Sequence, residues 1–157
     1  MWRVRKDDRY QETIQNRYSL NRPDLTSLEI AMKISSLDHL VLTVRSISAT
    51  CDFYSSVLGM DVVTFGEGRK ALVFGRQKIN LHEYSNEFEP KAQVPTPGSA
   101  DLCFVSTTPL ESVIKELQSL GIEICEGPVN RTGAVGPIRS VYIRDPDLNL
   151  VEIASYV

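Results

Sequence analysis

Four places in the chain set polar side chains into otherwise apolar runs: His39 within residues 37–44, Asn80 and His82 within 78–84, Asp101 within 100–105, and Glu152 within 149–155. Histidine nitrogen and carboxylate oxygen are donors suited to a divalent first-row metal. Asp101 and Glu152 would repel one another in a dry cleft, whereas one divalent cation neutralises both and keeps coordination places for a substrate. The candidate ligands are therefore His39, Asp101 and Glu152, with His82 or Asn80 as a fourth. Glu152 is also the candidate proton carrier, provided it can leave the metal. Each residue has a plainer reading as well. A strand histidine is commonly a hydrogen-bonded core residue, and Glu152 could pair with Arg144 or Arg139.

What must position these residues is a repeat. Residues 37–44 alternate as a strand does, and Ser46 then caps a helix carrying Ile47, Cys51, Phe53, Tyr54, Val57 and Leu58, which Gly59 ends. Short strand-like runs follow at 60–65, 70–74 and 78–84, separated by Gly66, Gly68 and Gly75. After a proline-bearing connection the order restarts with a strand at 100–105. Thr108, Pro109 and Glu111 read as the start of a second helix and Gly121 as its stop, with strands expected at 122–125, 139–144 and 149–155. The expected fold is α+β: two βαβββ modules, 37–84 and 99–157, joined by a connection at 85–98 and forming a concave cleft. Aligning the repeats lays His39 near Asp101 and Asn80 over Glu152, so the polar positions are related by the repeat.

The second module adds cations. Residues 130–137 hold Arg131 and two glycines, just ahead of Arg139 and Tyr142. They read either as an ordinary loop or as a mobile cover, with Asn80, Arg131, Arg139 and Tyr142 as substrate-binding candidates for an acidic small molecule. The run 67–70 is a weaker candidate for an opposing loop.

Composition narrows the partners. The chain has 157 residues with 42% hydrophobic and 24% charged, close to a globular average, and a net charge of -3 that offers no field for nucleic acid. No run reaches the roughly 18 apolar residues of a membrane span. Residues 1–36 carry seven basic and five acidic residues and are expected to be a poorly ordered extension. Asp7, Asp8 and Glu12 interrupt what would otherwise suggest a mitochondrial presequence, so a cytoplasmic location is expected. Cys51, Cys103 and Cys125 lack CxxC spacing and read as small buried apolar residues.

Residues 38–44, Phe53-Tyr54 followed by Leu58-Gly59-Met60, and Arg144-Asp145-Pro146-Asp147 ahead of 149–153 resemble the glyoxalase/bleomycin resistance/extradiol dioxygenase superfamily, also called vicinal oxygen chelate (VOC) proteins. Residues 78–83, 88–92 and 131–134 resemble its glyoxalase domain-containing branch. The resemblance implies paired βαβββ modules and one divalent metal ion, whether zinc, nickel, manganese, magnesium or iron, that binds adjacent oxygens of a substrate. His39 matches the first-strand ligand, Asp101 falls where many members have a second histidine, and Glu152 matches the last-strand glutamate. Asn80 stands where glyoxalase I has a glutamate, which removes a carboxylate. Leu148 replaces the glycine usual before the last strand. The implied activity is that of a lyase, isomerase or transferase on a small molecule. The alternatives are a binding module without chemistry, and a dioxygenase that would need His82 as a ligand. A homodimer completing the cleft is allowed.

Overall fold

The computed structural model describes residues 32–157, and Leu37–Val157 form one compact unit. The expected extension, 1–36, lies almost wholly outside the described residues. The elements run β1 (His39–Val44), α1 (Ile47–Leu58), β2 (Asp61–Phe65), β3 (Arg69–Phe74), β4 (Gln77–Glu83), β5 (Asp101–Val105), α2 (Leu110–Ser119), β6 (Glu126–Thr132), β7 (Pro137–Arg144) and β8 (Leu150–Tyr156). The order is βαβββ twice, in two four-stranded mixed sheets, β1-β4-β3-β2 and β5-β8-β7-β6. In each the first and last strands of the module pair in parallel, and the other pairs are antiparallel. A parallel pair needs a long crossover, which the helix and the hairpin strands supply.

Ser46 caps α1 by accepting from the Ala49 N–H at 3.3 Å, and Gly59 ends the helix at φ 65°, a left-handed angle suited to glycine. The second helix begins differently from the expected pattern. Its N-terminus is Pro109, no side chain caps it, and the Thr108 N–H donates to Ser106 Oγ at 3.0 Å. The strand expected at 122–125 is displaced to Glu126–Thr132, overlapping the expected loop at 130–137. Pro128 has no N–H to give a ladder and argues against a strand from composition alone. An edge strand tolerates it, and β6 is an edge with an irregular register between Glu126 and Val129.

One hydrophobic core runs through both modules. Leu42, Val44, Ile79, Leu81 and Leu72 face α1, while Val151, Ile153, Val141 and Ile143 face α2, whose Leu110, Val113 and Leu117 close over them. Each such burial contributes about 1.5–3 kcal/mol. The modules also meet through Phe74 and Phe104, edge to face at 5.2 Å, and through two buried carboxylates. Asp145 accepts from the Tyr54 hydroxyl at 3.1 Å, and Asp147 accepts from Arg45 N and Nη1. Both β1 and β5 are left as edges of their own sheets.

Candidate functional site

Strand alternation gives each sheet a second face that no helix covers. In module one the register lines up His39 with Lys78, Val41 with Asn80 and Ala71, and Thr43 with His82. These residues share the face opposite Leu42 and Ile79. In module two the pairs Cys103 with Glu152 and Glu152 with Tyr142 put Asp101, Cys103, Glu152 and Tyr142 on one face.

The candidate ligands therefore fall into two groups, His39 with Asn80 on module one and Asp101 with Glu152 on module two. Among the described residues, no three His, Cys, Asp or Glu side chains converge closely enough to hold a metal ion. A four-strand cluster within one chain is thus not formed. Each group nevertheless keeps donors unused. Asn80 Oδ1 and Glu152 Oε1 are buried without a hydrogen-bond partner. Buried polar atoms are rarely left unpaired, so these oxygens, like Ser140 Oγ, have capacity for a further partner. His39 is half exposed, and its Nδ1 is 2.6 Å from Asp38 Oδ1, a contact of the kind by which a carboxylate orients a histidine ligand. That hydrogen bond, with the imidazole nearby, lowers the Asp38 pKa. The nitrogen and oxygen chemistry of these donors suits a divalent cation, but the donors stand in two separate groups.

The module-two face borders a hollow of about 390 Å³, lined among others by Cys103, Arg131, Gly133, Glu152 and Tyr156. Arg131 Nε donates to the Tyr142 hydroxyl at 3.0 Å, and its Nη2 pairs with Glu126. The Tyr142 phenol is held above its ordinary range, first by burial and then by the Glu152 carboxylate, with Arg131 opposing. Partial desolvation of its sulfur against the sheet, aided by Glu152 and Asp101, pushes the Cys103 thiol up to about 11 although the residue as a whole is exposed. Cys103 and Cys125 are exposed rather than buried, and only Cys51 is in the core. Sequence reasoning passed over Cys103, although its spacing from Asp101 sets it on the same face.

One expected site residue lies on the other face of its sheet, and another is on the open face but covered. Arg139 lies on the helix-covered face of β7, where Nη1 pairs with Glu111 Oε1 at 2.8 Å. It leaves the set of substrate contacts. His82 is buried, its ring edge to face with Phe88 at 5.6 Å, beside a 220 Å³ hollow lined by Pro90, Lys91 and Pro95 of the connection. Another hollow, of about 320 Å³ between Leu58, Phe74, Phe104 and Leu117, holds none of the candidate ligands.

Residues 36–153 match the family model described as the glyoxalase/bleomycin resistance protein/dioxygenase superfamily. The chain belongs to this superfamily. Virulence protein STM3117 of Salmonella typhimurium is 62% identical over 128 residues, covering 82% of this chain and 89% of the relative. Its crystal structure superposes with a TM-score of 0.79 over 80% of this chain and 100% of that one. Glyoxalase domain-containing protein RDO1 of Mycosarcoma maydis is 60% identical over 125 residues, 80% of this chain and 70% of the relative. An integron cassette protein from the mobile metagenome of V. cholerae is 60% identical, with a TM-score of 0.79 over 80% of this chain and 98% of that one. The two four-stranded sheets are the VOC fold. No helix among the described residues is long and apolar enough to cross a membrane.

Proposed function

We propose that this VOC protein is a metal-dependent lyase, isomerase or transferase acting on a small molecule that chelates through adjacent oxygens. The observation that carries the reading is the pair of orphaned buried oxygens, Asn80 Oδ1 and Glu152 Oε1, on repeat-related strands of two open faces. His39, Asp101 and Glu152 would hold one divalent ion, with Asn80 as a fourth donor or a substrate contact. A bound divalent ion supplies Lewis acidity toward negative charge developing on a substrate oxygen. Glu152 would accept or return a proton, and Tyr142, whose hydroxyl accepts from Arg131, would orient the substrate beside it.

Because the two half-sites stand on separate faces of one chain, the complete site would form where module one of one protomer meets module two of another, as a homodimer. Metal analysis of purified protein tests the reading: about one ion per chain in the parent, and strong loss in His39→Ala and in Asp101→Ala with the fold intact. Equal metal content in parent and variants would overturn it.

One observation favours a second reading, a binding module that sequesters a ligand without chemistry. Asn80 cannot carry a proton as a carboxylate would, so one side of the site lacks a base. Persistent metal-free ligand binding would favour the module. The dioxygenase reading has less support, because it needs His82, which packs against Phe88 beneath the connection.

A further inference from the structure

The open face of module one carries a second chemistry that the metal donors do not use. Arg69 Cζ lies 4.7 Å and Lys78 Nζ 4.5 Å from the centroid of the Phe65 ring, so cations from β3 and β4 converge on one aromatic residue of β2. Arg69 also stands 5.9 Å from the Phe88 ring. Among the described residues, Arg45, Lys91, Arg131 and Arg139 each have a carboxylate partner, and neither Arg69 nor Lys78 does.

An unpaired surface cation is ordinary, but convergence with built-in support is not. Gly66, at φ 53°, lets the β2–β3 turn set Phe65 and Arg69 opposite one another as a cross-strand pair. An aromatic face attracts a cation without using its N–H groups, so the hydrogen-bonding edges stay available. A guanidinium and an ammonium held near one ring repel one another, and an oxyanion that reaches both lowers that repulsion. Ala71, fully buried on the same face next to Asn80, keeps the floor flat beneath the cluster.

We propose that Arg69 and Lys78, held over Phe65, form an oxyanion subsite that takes the carboxylate or phosphoryl end of a small organic acid. The assignment rests on the reading of this face as one side of the substrate cleft, and it names the substrate class.

The probes are inorganic phosphate and acetate, titrated calorimetrically into the full-length protein after chelation and dialysis, so that no metal competes for the anion. Phosphate is expected to bind the parent, and its affinity should fall about tenfold or more in Arg69→Gln and in Lys78→Gln, the loss of one charge-assisted contact. Phe65→Leu should weaken binding while circular dichroism stays unchanged, because the platform is lost and the fold is not. Lys115→Gln, which removes an exposed cation on α2, should bind phosphate as the parent does, and Arg131→Gln reads whether the module-two cation takes the anion instead. The ratio of phosphate to acetate affinity tells a phosphoryl subsite from a carboxylate one.

Absence of phosphate binding, parent-like binding in both Gln variants, or dependence on Arg131 instead would overturn the proposal. So would loss of dimer in Arg69→Gln by sedimentation, which would assign the cations to the acidic module-two face of a second copy. His39→Ala keeps the two readings apart. If its metal content matches the parent while Arg69→Gln loses phosphate, the metal reading falls and the subsite stands. If metal depends on His39 and phosphate on neither cation, the subsite falls alone.

Discussion

Leu148 shows how a single departure from a family pattern becomes a physical cost. It stands at φ 71° in the turn before β8 and is exposed, so its side chain contributes little packing to offset the left-handed backbone. That conformation costs an L-residue roughly 1–2 kcal/mol, while glycine gives back part of the gain through a freer unfolded chain. Leu148→Gly is therefore expected to stabilise the protein by about 0.5–1 kcal/mol in urea titrations. A loss would mean the side chain packs better than its exposure indicates. His82 offers a second test at this scale. Burial holds its imidazole below the ordinary histidine range, with Arg69 and Lys91 reinforcing the effect and Glu87 opposing it. The unfolded chain then binds more protons than the folded one between the folded value and about 6.5. The stability that neutral His82 contributes is complete above about pH 6.5 and is lost as pH falls through that window. In metal-free protein the urea midpoint should drop over this range, and His82→Gln should flatten the slope. An unchanged slope would assign the titration to other groups.

At the scale of elements, the turn between β7 and β8 works as a clasp between modules. Asp145 accepts from the N–H groups of Asp147 and Asn149, from Asn149 Nδ2 at 2.7 Å, and from the Tyr54 hydroxyl of α1. Asn149 Oδ1 in turn accepts from the Ala100 N–H at 2.8 Å, at the entry to β5. A buried carboxylate without a cation is tolerable here because four donors replace its hydration. Tyr54→Phe removes one charged hydrogen bond and should cost about 1.5–3 kcal/mol. Asp145→Ala leaves buried donors orphaned and should cost more, read as a larger fall in denaturant midpoint. Equal and small effects would show that solvent enters the turn. The residue pattern of this clasp was legible as a motif, but its partner Tyr54 was assigned only to the core, since sequence spacing does not say which helix faces which turn. The second helix cap failed for a related reason: Thr108 has the right residue type, yet the Ser106 side chain, not its own, organises that turn.

Over the whole molecule the repeat was readable because each apolar alternation and each glycine stop agreed with the same βαβββ order. Parity along the strands also set His39, Asn80, Asp101 and Glu152 on uncovered faces. Parity could not tell whether the two faces meet within one chain, because the helix-side contacts of Phe74 with Phe104 and Tyr54 with Asp145 are made between residues far apart in sequence. Nor does a cation's type reveal its partner, so Arg139 was read toward the cleft although Glu111 holds it on the other side. The faces differ in charge, Arg69 and Lys78 on one and Asp101 with Glu152 on the other, which favours meeting between copies. The assembly can be tested by complementation. If each metal site takes His39 from one protomer and Asp101 from its partner, homodimers of His39→Ala and of Asp101→Ala are both defective. A heterodimer of the two variants carries one site with both residues intact and one lacking both. Equal mixing with exchange of subunits should therefore restore tight metal binding to about one quarter of the sites, since half the dimers are mixed and each has one good site of two. Metal bound at saturation should also raise the melting temperature of that fraction, by about 2.7 kcal/mol of stabilisation at a hundredfold excess over Kd. Each variant alone, denatured and refolded identically, provides the baseline. Recovery on mixing would require a site shared between chains, whereas no recovery from variants that still form dimers would mean that no site draws on both protomers.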